Sequence, residues 1–151
     1  MTRVDFYLLS GAAGSPVAAV CRLCEKAVGA GNRLYLRTGD AGLADELDGA
    51  LWSFKQGGFI AHERHNGAPI EEPPPPVLIG DHEPPASHHG VLINLDNDVP
   101  TWFSSFERVL EVVPEDVAQR AHSRERFRFY RERGYELKTF EQTAEGGWQA
   151  R

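Results

Sequence analysis

Along this chain short, blunt apolar runs alternate with longer stretches of helical spacing, the signature of strands interleaved with helices. Val4 to Leu9, VDFYLL, is rich in strand formers and closed by Ser10-Gly11, so a buried strand is expected there. From Pro16 the apolar positions Val17, Val20, Cys21, Cys24, Ala27 and Val28 recur at helical spacing. They predict a helix from about Ser15 to about Val28, stopped by Gly29 to Gly31. Arg33 to Arg37 predicts a second strand, and Asp40 is placed to cap a helix carrying Leu43, Leu47 and Leu51 that ends near Trp52.

Phe59-Ile60-Ala61, Val77-Leu78-Ile79 and Val91-Leu92-Ile93-Asn94 predict three further strands, the last two of the kind buried on both faces. Strand alternating with helix implies parallel pairing and right-handed crossovers, hence a layered α/β fold. The prolines of Glu71 to Pro76 and of Asp81 to Gly90 exclude helix, so a stiff, exposed loop is expected at about 66–90. Trp102 to Leu110 fits a short helix with Trp102, Phe103 and Phe106 inward, while Val109 to Val113 reads equally well as extended. Tyr135 to Phe140 alternates like an edge strand, and Thr143 to Arg151 reads as a polar, frayed tail. The expected organisation is one domain over 1–142 with a tail at 143–151.

Val113 to Gly134 changes the picture, because it places six of the chain's thirteen arginines within fourteen residues. It reads as one helix, with Pro114 at its first position, Glu115 and Asp116 at the positive end of its dipole and Gly134 as a left-handed stop. Arg120, Arg124, Arg128 and Arg131 follow one another at spacings of four, four and three, which predicts a single stripe of guanidinium groups. Like charges in a stripe repel, and a bound anion would offset that cost. Phe127 and Tyr130 lie beside the stripe. Arginines rimming an apolar surface suit an acidic peptide that ends in an apolar residue and a carboxylate. The competing reading is that both rings form the buried face and the arginines its solvated back.

The formal net charge of −6 sharpens the contrast: a basic helix in an acidic chain favours a bounded acidic partner over a long polyanion. No apolar run is long enough to span a membrane, and the opening MTRVDFYLLSG is unlike a signal peptide, so a cytoplasmic location is expected. Cys21 and Cys24 form one Cys-x-x-Cys inside a predicted helix, half a zinc site at most, and read as core residues. The loop Ser10 to Pro16 sits where a phosphate-binding loop would, yet it lacks the P-loop lysine and the third glycine of a dinucleotide fingerprint. His62, His65, Asp81, His82, His88 and His89 invite a metal reading but lack a helix-borne ligand pattern, and no nucleophile pattern is present. No cofactor or metal is expected. Trp52, Phe54 and Phe59 form a second aromatic group, read either as core or as interface anchors.

Several stretches together resemble the chi subunit of the bacterial DNA polymerase III holoenzyme. They are Phe6-Tyr7-Leu8-Leu9; Leu47-Asp48-Gly49-Ala50-Leu51-Trp52 followed by Phe59 and His62; Val91-Leu92-Ile93-Asn94-Leu95; Val112-Val113-Pro114; and Arg124-Glu125-Arg126-Phe127-Arg128-Phe129-Tyr130-Arg131 before Gly134. The resemblance implies a single-domain Rossmann-like layered α/β fold, with a mainly parallel central sheet, helices on both faces and no chemistry of its own. It implies an adaptor that binds the acidic C-terminal tail of single-stranded DNA-binding protein and, through the psi subunit, the clamp loader; DNA would be contacted mainly indirectly. By the same resemblance the tail site falls on Arg120, Arg124, Phe127, Arg128 and Val113, next to Tyr130 and Arg131 of the stripe, and the psi-facing side on Trp52 and Phe59, with Phe54 beside them. Phe127, Arg120 and Arg128 stand where the family has a tyrosine and two lysines, so charge is kept and a hydroxyl is lost. The alternative is a single-stranded nucleic-acid binder stacking bases on Phe127 and Tyr130, and a more distant one is a nucleotide hydrolase.

Overall fold

The computed structural model describes residues 1–11, 16–53 and 60–151. Among them, one sheet is built from β1 (Arg3–Leu8), β2 (Leu34–Arg37), β3 (His62–Arg64), β4 (Val77–Gly80), β5 (Val91–Asn94), β6 (Arg108–Val113), β7 (Glu136–Gln142) and β8 (Trp148–Ala150). Three helices accompany it: α1 (Val17–Gly29), α2 (Ala41–Ser53) and α3 (Val117–Glu132). The strand order is β3-β4-β2-β5-β6-β1-β7-β8, and every neighbouring pair is parallel except β7 with β8.

That order places the helices. After β1 the chain moves toward the β3 edge through α1 and α2, and from β6 it moves the opposite way through α3 to β7. Right-handed crossovers running in opposite directions put their helices on opposite faces, giving the layered α/β fold the alternation predicted. The pleat sorts the core accordingly. Tyr7, Leu9, Leu36, Ile79 and Ile93 pack with α1 and α2, whereas Phe6, Leu8, Tyr35, Leu78 and Leu92 pack with α3 and Phe103. Leu47 and Leu51 are fully buried, and each such side chain contributes about 1.5–3 kcal/mol of transfer free energy.

The local chemistry explains most element bounds. Asp40 caps α2 through Leu43 N–H to Oδ1 at 3.1 Å. Val77 to Ile79 and Val91 to Asn94 are buried on both faces, as their apolar runs required. Cys21 and Cys24 are fully buried in α1; burial pushes the Cys21 thiol up to about 11 and that of Cys24 higher still, so they pack as small apolar groups.

Four expectations change. The strand placed at Phe59-Ile60-Ala61 lies instead at His62–Arg64; Phe59 falls outside the described residues and Ile60-Ala61 precede the strand. Trp102 to Leu110 is no α-helix: a 3-10 turn at Phe103–Ser105 leads directly into six-residue β6, because Val109 and Leu110 are claimed by pairing with β1 and β5. Tyr135 to Phe140 is not an edge, since β8 pairs outside β7. The frayed tail is therefore ordered: Gly146 turns the chain at φ +86°, and Trp148 sets its ring edge-on to Tyr7 at 4.9 Å.

The proline loop is tethered from within. His88 is fully buried, with Nε2 2.7 Å from the Pro75 carbonyl and Nδ1 2.7 Å from the Ser87 hydroxyl. Nε2–H donates to the carbonyl and Nδ1 accepts from Ser87, the pattern of a neutral ring, and burial holds its pKa below the ordinary value. His89 stacks on Phe106 and His62 bridges Asp48 and the Ile60 carbonyl. Among the described residues, no group of three or more His, Cys, Asp or Glu side chains is placed to hold a metal.

Candidate functional site

α3 starts later than its sequence suggests. Val113 ends β6, and Asp116, in extended conformation, is the N-cap, accepting from Gln119 N–H at 3.0 Å; Pro114 stands outside the helix. The stop is as expected, with Gly134 at φ +81° and its N–H donating to the Arg131 carbonyl.

One face of α3 is an anchor. Glu111 of β6 is fully buried, and its Oε1 accepts from Arg126 Nε at 2.9 Å while its Oε2 accepts from the Tyr130 hydroxyl at 2.7 Å and from Asn94 Nδ2 at 3.0 Å. Burial pushes the Glu111 carboxyl up, and Arg126, Asn94 and Tyr130 hold against it; burial and Glu111 push the Tyr130 phenol far above its ordinary value. Tyr130 has no exposed surface, so neither a peptide nor a base on the surface reaches it. The sequence reading that set it beside the stripe is corrected: β6 supplies the buried acceptor that draws it inward. Val113 is likewise fully buried, a wall of the core beneath the helix.

The opposite face is the stripe, and its arginines differ. Arg120 is half-buried, its Nη2 on the Leu9 carbonyl at 2.6 Å and its Nε on the Pro114 carbonyl at 3.2 Å. Arg131 lies with its guanidinium carbon 5.9 Å from the Phe127 ring centre. Arg124 and Arg128 are exposed, and among the described residues their guanidinium groups have no hydrogen-bond or ion-pair partner.

Next to this stripe lies an open hollow of about 760 Å³. Its floor is Phe6 and Leu8 of β1 with Leu137 of β7; Arg124 and Phe127 form the helix wall, and Ala150 and Arg151 the far wall. Phe127 is half-buried, its ring 5.4 Å from that of Phe6. Of the expected site residues, the structure brings Arg124 and Phe127 into the lining and leaves Arg128 on the neighbouring turn. Phe6, Leu8, Leu137 and Arg151 were not foreseen as site residues. The apolar run at Val4 to Leu9 announced a buried strand, and Phe6 and Leu8 are indeed buried, but nothing local in it told that they would line a hollow beside α3.

A second hollow, of about 580 Å³, opens at the carboxyl ends of the strands, where ligands of doubly wound sheets bind. Asp40, Glu46 and Asp96 line it, and the one cation among the described lining residues, Arg126, is already paired with Glu111. This lining repels phosphate. Of the glycine-bearing loop weighed as a phosphate binder, residues 12–15 lie outside those described.

The family model described as DNA polymerase III chi subunit, HolC, matches residues 1–138. The chain belongs to this family. It is 44% identical over 138 residues to the DNA polymerase III subunit chi of Pseudomonas aeruginosa, covering 91% of this chain and 94% of that one. To the subunits chi of Haemophilus influenzae and Escherichia coli it is 26% identical, over 136 and 149 residues, covering 89% and 92% of this chain and 94% and 97% of theirs. Membership makes it a replisome subunit of an α/β fold, and among the described residues no helix is long and apolar enough to cross a membrane. Trp52, at the end of α2, is 58% exposed with its ring 5.3 Å from that of His62; Phe54 and Phe59, grouped with it from sequence, lie outside the described residues.

Proposed function

We propose that this chain is a non-catalytic, cytoplasmic adaptor of the replisome that grips the acidic C-terminal tail of single-stranded DNA-binding protein. The observation that carries this reading is the hollow beside α3: an apolar floor of Phe6, Leu8 and Leu137 next to Arg124, an exposed guanidinium in a chain of net charge −6. A terminal aromatic ring would enter the floor, its carboxylate would take Arg124 as a bidentate partner, and the preceding acidic residues would run along Arg128 and Arg131. Arg120, committed to two backbone carbonyls, adds field more than contact. Trp52, large and exposed on the other face of the sheet, is the anchor we assign to the psi subunit of the clamp loader.

Charge reversal tests it. Arg128→Glu and Arg124→Glu should abolish binding of a tail peptide without unfolding the domain, and wild-type affinity in both would remove the proposal. Binding should weaken as salt rises, since exposed pairs are screened over about 8 Å at physiological ionic strength. An amidated peptide, lacking its final carboxylate, should bind far more weakly.

A further inference from the structure

Resting on the tail-binding reading just given, the geometry points to Arg151, on the β7–β8 hairpin beyond the 1–138 segment matched by the family model, as a second carboxylate-binding arm of the same hollow. The register of the sheet settles which cations the hollow owns. Val4, Phe6 and Leu8 of β1 face α3 and pair with Leu137, Thr139 and Glu141 of β7, so these three β7 side chains share the α3 side. Lys138 also borders the hollow, but it alternates with Leu137 and Thr139 and is paired with Asp5, on the face of Tyr7. It contributes backbone and not charge.

Arg151 is on the other parity. Its N–H donates to the Thr139 carbonyl at 2.9 Å, continuing the ladder that pairs Phe140 with Ala150, so its side chain shares the face of Thr139 and Glu141. Consistently, its Nε lies 3.4 Å from Glu141 Oε1, with both side chains more than half exposed. Arg151 and Arg124 therefore bracket the apolar floor from opposite walls, one on a strand and one on a helix. A solvent-exposed ion pair holds its partners weakly, so a carboxylate of an acidic peptide can take Arg151 from Glu141 at small cost. Glu141 is then left as a repulsive charge at the rim, which makes it a restraint on affinity.

The test is a titration of a fluorescein-labelled peptide, a run of aspartates ending in phenylalanine with a terminal carboxylate, against the 151-residue chain carrying Arg151→Ala, Glu141→Gln or Arg124→Ala. Arg151→Ala should weaken binding roughly three- to tenfold and make it less salt-dependent, and Glu141→Gln should tighten it by roughly two- to fivefold, with melting temperatures unchanged. Loss of affinity in Arg124→Ala together with wild-type affinity in Arg151→Ala overturns this inference and leaves the adaptor reading intact. Wild-type affinity in both overturns the adaptor reading and this inference with it.

Discussion

Arg124 and Arg126 are two residues apart on one helix and do opposite work. Arg126 is buried to 4% exposure against Glu111, whereas Arg124 stands at the lip of an apolar hollow without a partner among the described residues. A helix turns about 200° in two residues, so neighbours of identical chemistry are assigned to opposite faces by geometry alone. The difference teaches that the richness of α3 in arginine is two features superimposed. Arg126, helped by Arg120 on the Leu9 carbonyl, pins the helix down, and Arg124, Arg128 and Arg131 create a local positive field on an acidic protein. Folding stability should depend on the first and partner binding on the second.

The largest effect expected is on the anchored side. Glu111→Ala leaves the Arg126 cation buried without its carboxylate and strips Tyr130 and Asn94 of their acceptor, so it should cost about 3–5 kcal/mol in urea denaturation. A cost under about 1 kcal/mol would dissolve the distinction between the two faces. Next comes Phe127→Ala, which touches both sides because its ring meets Phe6 and also lines the hollow. For a half-buried ring a loss of about 1–3 kcal/mol is expected, together with weaker peptide binding. Arg124→Glu sharpens the contrast from the other direction: stability should stay within about 0.5 kcal/mol of wild type while peptide affinity falls at least roughly tenfold.

Much of this was legible in the chain. The apolar runs located β1, β2, β4 and β5, the spacing of Leu43, Leu47 and Leu51 located α2, and the cluster of arginines singled out α3. The sorting of arginines within α3 was not legible. The partner that draws Arg126 and Tyr130 inward is Glu111, a lone carboxylate in a segment that read equally as helix or strand, and only the parallel pairing of β6 between β5 and β1 buries it. Arg151 was hidden for the same reason. Thr143 to Arg151 carries no strong local preference, and it becomes a wall of the hollow only because Gly146 and the packing of Trp148 on Tyr7 fold it back against β7. Sheet neighbours distant in sequence set both outcomes.

The smallest effect extends the contrast to the proline loop, where His88 points inward as Arg126 does but is held neutral instead of paired. Its ring donates to the Pro75 carbonyl and accepts from Ser87, and burial depresses its pKa below the value of about 6.5 expected in the unfolded chain. A histidine whose folded pKa is lowered stabilises the fold above the unfolded pKa, and that contribution is lost as pH falls through the folded value. His65, also buried and also shifted downward, adds in the same direction. The urea midpoint should therefore decline between pH 7.5 and pH 5, and less steeply in His88→Gln, whose amide keeps a donor for Pro75 and does not titrate. Parallel slopes for the two proteins would show that the loop is tethered without help from the protonation state of its buried histidine.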